Sequence, residues 1–209
     1  GAGTFGLSAE FRDGQMRNIT DLSVQSEDME VGTGKLAFIR KNNENHLSAG
    51  TLENVKIDQN IIENLAFEIT PEDVLKIKAE GRFLDARWFI APRALERDEV
   101  VLNTTNQHES EQTDARNNKT KDDEQQAKVI SASFERMIMD PDHPLQSVKL
   151  YIETNKQQYP TQLEMDAISG KGDIYLRYKP DEQGVKSFRL EVDDAGAGLR
   201  AFDFYDNIN

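Results

Sequence analysis

Apolar side chains recur at every second position along most of this chain, and that period of two constrains its fold more than any other feature. Phe5, Leu7, Ala9 and Phe11 share one parity, and Leu65, Phe67 and Ile69 repeat it further on. Successive side chains of an extended strand point to opposite faces, so such segments read as half-buried strands. Asp13-Gly14 lies between the first run and Leu22-Val24 and supplies the positive φ that a two-residue hairpin requires. Further alternating runs lie at Leu22-Val24, Leu36-Phe38, Leu47-Ala49, Val55-Ile57 and Leu75 to Phe83. Strand spacing near ten residues with turn residues between predicts an all-β, mainly antiparallel fold.

Two segments interrupt the pattern. Asp85 to Leu95 loses the alternation and predicts a short helix anchored by Trp88, Phe89 and Leu95. From Asp98 to Ala127 there are 8 acidic residues against 3 basic ones, with Asn, Gln and Thr filling most of the rest. Such a segment buries too little apolar surface to offset its ordering entropy, so residues 103–127 read as a flexible acidic insertion. Strands resume at Ile130-Phe134, Val148-Ile152, Leu163-Ala167, Ile174-Tyr178 and Phe188-Val192, and Asp193-Asp194 precedes a second expected short helix carrying Leu199 and Phe202. The expected organisation is a β unit over 1–102, the insertion 103–127 and a second β unit over 128–209.

Composition removes several classes of function. The net charge of −13 opposes binding to phosphate backbones and to anionic lipid headgroups, so no nucleic-acid partner is expected. With no cysteine, disulfides, thiol nucleophiles and thiolate metal sites are excluded. His46, His108 and His143 fall in three separate predicted loops without ligand-like spacing, so no metal site is expected. The carboxylate groupings Asp193-Asp194, Asp140-Pro-Asp142 and Asp122-Asp123-Glu124 read as a helix cap, a turn and a solvated tract. They do not read as opposed catalytic acids. Gly32-Thr-Gly34-Lys35 lacks the Walker spacing and reads as bulge or turn glycines. No enzyme and no cofactor are expected, and no stretch nears the roughly 20 apolar residues of a membrane span.

What remains is the alternating apolar face itself. It suits a β-sandwich, whose two sheets bury each other, and it suits equally one curled sheet whose oily face lines an open groove. Alternation alone favours the sandwich without separating the two.

A resemblance bears on that choice. Phe188-Arg-Leu-Glu-Val-Asp-Asp-Ala-Gly-Ala-Gly-Leu-Arg-Ala-Phe202, with Tyr205-Asp-Asn-Ile208, Ile130-Ser-Ala-Ser-Phe134, Gly170-Lys-Gly172-Asp-Ile-Tyr-Leu176 and Gly81-Arg-Phe-Leu-Asp-Ala-Arg87, resembles the AsmA-like superfamily of Gram-negative envelope proteins, of the YhdP and TamB type. The likeness covers most of the chain outside the insertion. It implies an elongated, strongly curled sheet with an apolar groove that binds or conducts phospholipid toward the outer membrane. It also implies a periplasmic location, with an inner-membrane anchor outside this segment. On that reading the groove candidates are Phe5, Leu7, Phe11, Leu65, Phe67, Leu75, Ile77, Ile130, Phe134, Leu150, Leu163, Met165, Leu176, Leu190 and Val192. The alternative is a β-sandwich interaction module whose partners are other envelope proteins.

Overall fold

A computed structural model describes residues 3–41, 43–87, 126–194 and 196. Eleven strands make up a single open sheet in which spatial order follows chain order from β1 to β11. The strands are β1 (Thr4–Arg12), β2 (Gln15–Gln25), β3 (Met29–Lys41), β4 (Glu44–Ile57), β5 (Asn60–Ile69), β6 (Val74–Asp85), β7 (Ala127–Ile138), β8 (Leu145–Thr154), β9 (Pro160–Ser169), β10 (Gly172–Pro180) and β11 (Lys186–Val192). The all-β, mainly antiparallel expectation holds. One sheet replaces the two that a sandwich needs.

Turn chemistry accounts for much of the order. Asp13 and Gly14 take φ of 55° and 73°, the mirror-image turn whose twist matches that of the flanking strands. Between β10 and β11, Gly184 at φ 81° closes a loop in which the Asp181 carboxylate accepts the Gln183 and Val185 amides, both at 2.9 Å. Gly32 and Gly34 lie inside β3, where its pairing with β2 is bulged between Val31 and Gly34, the bulge role that was one of the two expected.

One ladder breaks the meander. β6 and β7 run parallel, with Val74 opposite Ala127 and Asp85 opposite Ile138. A strand of 12 residues spans about 40 Å at roughly 3.3 Å per residue, so the chain between Asp85 and Ala127 must travel that distance back before β7 begins. Parallel neighbours always require such a crossover. The acidic segment is therefore part of the connection that this topology demands. Its expected boundary shifts slightly, since Ala127 already opens β7 and the Gln126 amide donates to Asp73 at 2.7 Å.

Strands β1–β6 and β7–β11 lie in one sheet, joined through the β6–β7 ladder. The described residues contain no helical element. The first expected short helix begins with Asp85 still in β6, and its remainder beyond Arg87 lies outside the described residues, as does most of the second at 194–202.

Candidate functional site

Pairing across the ladders places the apolar residues. Directly opposed residues share a face, so the register can be followed from edge to edge. One row reads Leu7, Leu22, Gly34, Leu52, Leu65, Ala79, Ala132, Leu150, Met165, Leu176, Leu190. The next reads Ala9, Ile19, Leu36, Gly50, Phe67, Ile77, Ile130, Ile152, Leu163, Tyr178, Phe188. Neither row contains a charged residue on any of the eleven strands.

Two glycines interrupt these rows in sequence but not in space. A Cβ on Gly50 would sit 2.5 Å from Phe67 Cζ and 2.7 Å from Leu36 Cδ2, and one on Gly34 would sit 2.7 Å from Leu52 Cδ2. Neighbouring side chains therefore close over both positions. Bulges keep the rows aligned, because the irregular β1–β2 register shifts Leu22 and Ile19 onto the face of Leu7 and Ala9.

Every groove candidate lies along strands whose inward parity belongs to this face, but their exposure differs. Phe5, Leu7 and Phe11 are 67%, 49% and 67% exposed on the edge strand. Leu65, Phe67, Leu75, Ile77, Ile130, Leu150, Leu163, Leu190 and Val192 are partly covered. Phe134, Met165 and Leu176 are 3%, 4% and 8% exposed, within a core that also holds Met137, Leu145, Val148, Ala167 and Ile174. These three candidates are core residues.

The apolar face carries a cleft of about 320 Å³ lined by Leu47, Leu65, Phe67, Ile69, Leu75, Ile77 and Gln126. A larger cleft, about 680 Å³, draws most of its lining from the opposite parity, including Asn18, Lys35, Ala37, Ala49, Thr51, Ala66, Glu68, Lys76, Lys78 and Ser131. The larger of these two clefts thus lies mainly on the face away from the apolar rows, where sequence periodicity did not point. Its signal was available as alanines at polar-face positions of β3, β4 and β5.

That second face is charged. Lys56 meets Glu30 at 2.7 Å, Lys78 meets Glu80 at 2.7 Å and Arg82 meets Glu63 at 3.1 Å. Arg177 bridges Glu164 (3.5 Å) and Asp166 while donating to the Met165 carbonyl at 2.9 Å. Exposed pairs of this kind each contribute at most about 1 kcal/mol, so they set polarity and register more than stability. The Tyr151 hydroxyl donates to Glu153, and this bond, with some burial, pushes the phenol up to about 12.

His46 lies in β4, not in a loop as expected, 4.0 Å from Glu44. His143 sits in the β7–β8 turn with Nδ1 3.0 Å from Asp140. His108 lies outside the described residues. Asp140 accepts the Asp142 amide at 2.8 Å and the His143 contact, which together lower its carboxyl below the usual range. This is the expected turn role. Asp193 accepts the Asp173 amide at 3.3 Å and so fastens the end of β11 to β10; the helix that it was expected to cap lies outside the described residues. Among the described residues no cluster of three or more His, Asp or Glu could hold a metal ion.

Comparison with known protein families, curated proteins and solved structures finds no match for this chain.

Proposed function

We propose that this chain is a non-enzymatic segment of a periplasmic protein of AsmA-like type, anchored in the inner membrane through a part outside this segment. Its apolar face binds or conducts phospholipid for maintenance of the outer membrane. The observation that carries the reading is the pair of uncharged rows crossing all eleven strands on one face of an open sheet. An acyl chain laid along such a face gains roughly 0.8 kcal/mol per buried methylene, so ten buried methylenes give about 8 kcal/mol. The headgroup stays in water, and no catalytic group is needed. The entry point is the cleft around Phe67 and Ile77, where side chains are only partly covered. The strong acidity of the chain would keep its polar face off anionic membranes.

Mass spectrometry of lipid retained by the purified chain tests the proposal. Phospholipid should accompany the wild type and be depleted severalfold in Phe67→Asp and Leu163→Asp. Full retention by folded variants would refute it. A second reading, an interaction module for other envelope proteins, is favoured by one feature alone: the exposed apolar edge of β1.

A further inference from the structure

The uncharged rows of the apolar face stop short of the strand ends. The next row carries Phe38, Leu47, Ile69 and Leu75 on β3 to β6, then Lys128 on β7 and Thr154 on β8. Lys128 stands directly opposite Leu75, which lines the apolar cleft, and Gln126, two residues earlier, lines it as well. Beyond this row the sheet gives way to polar loops that are fastened together. The Gln126 side-chain amide donates to Asp73 at 2.7 Å, and that of Gln158 donates to the Gln126 carbonyl at 2.7 Å. The Thr70 hydroxyl accepts the Val74 amide at 3.3 Å. Lys128 therefore marks the line where oily side chains meet a polar rim.

Its surroundings set it apart from lysines of the other face. There Lys56, Lys76, Lys78 and Lys179 each meet a glutamate. Lys128 is partly buried, and its ammonium has no carboxylate partner among the described residues. A cation half removed from water gains from an anion brought to it. We infer that Lys128 holds the headgroup phosphate of a phospholipid whose acyl chains run from Leu75 over Ile77 and Phe67. This contact belongs to the lipid reading above and rests on it. The order along the strands is that of an amphiphile: a polar rim, one cation, then two rows without charge. A compact ammonium on a flexible stem can follow a phosphate whatever headgroup it bears. The net charge of −13 repels an anionic bilayer surface, but a single lipid in the cleft meets this one cation.

Native mass spectrometry of the purified chain in neutral detergent tests the contact, with dioleoyl phosphatidylglycerol and dioleoylglycerol as probes. The two share their tails, and only the first carries a phosphate. The wild type should retain phosphatidylglycerol roughly tenfold better. Lys128→Gln should bring the two to equal retention without lowering that of dioleoylglycerol, at an unchanged circular dichroism spectrum. Lys128→Arg should keep the preference, and Lys35→Gln, on the polar face, should leave it as it was. A preference that survives Lys128→Gln while Phe67→Asp releases both lipids overturns this inference alone. Retention of both lipids by folded Phe67→Asp overturns the lipid reading and this contact together. Stronger retention of oleate than of phosphatidylglycerol overturns the assignment to phosphate.

Discussion

Two halves of one sheet carry the same apolar rows and treat them differently. In β7–β11, Leu145, Val148 and Ile174 are almost wholly buried, at 0%, 1% and 1% exposure. In β1–β4, Ile19, Val31 and Val55 are buried, but Phe5, Leu7, Phe11, Met29, Leu47 and Ile57 remain exposed on the same face, as Phe188 does on the β11 edge. Period two therefore specifies which face is oily without specifying what covers it. The β7–β10 part of that face is mostly closed into a core, whereas more of it stays open in β1–β4.

Truncations break or sharpen this contrast. Leu145→Ala should cost about 2–5 kcal/mol, since a fully buried leucine leaves a cavity, and urea denaturation monitored by circular dichroism measures it. An effect below about 1 kcal/mol would mean that the C-terminal half is as open as the other. Leu7→Ala, on the apolar face of the edge strand β1, should stay within about 0.5 kcal/mol. A large loss there would show that the edge is already covered.

The smallest effect concerns the polar face. The Tyr151 phenol, raised to about 12 by its bond to Glu153, titrates above an unfolded phenol near 10. The folded state holds this proton more tightly, so the contribution is complete below pH 10 and lost as pH rises toward 12. Phenolate absorbance should therefore appear at lower pH in Glu153→Gln than in the wild type. Equal titration curves would show that the bond does not form in solution.

Much of this was legible in the sequence. Asp13-Gly14 announced its hairpin because few other pairs tolerate two positive φ angles, and the alternating runs announced their strands. The parallel β6–β7 step was not legible, because strand direction is set by where the crossover returns and the acidic segment has no pattern of its own. His46 was read as a loop residue because polar neighbours surround it, yet the Asn43 turn is tight enough for β4 to start at Glu44. For the candidate site, periodicity located the face but could not rank its residues. Phe134 and Met165 alternate just as Phe5 and Leu7 do, and only the three-dimensional arrangement separates core from surface. The polar-face cleft went unseen because Ala37 and Ala66 sit between larger apolar residues, and because a register shift in the β3–β4 ladder puts Ala49, read together with Leu47, on the other face.

Photocrosslinking from two opposed sites tests the central claim most directly. A benzophenone side chain placed at Leu47 borders the cleft of the apolar face, and one at Thr51 borders the cleft of the polar face. The account predicts phospholipid adducts from Leu47 and few or none from Thr51. Adducts from Thr51 alone, or equal yields from both positions, would contradict it.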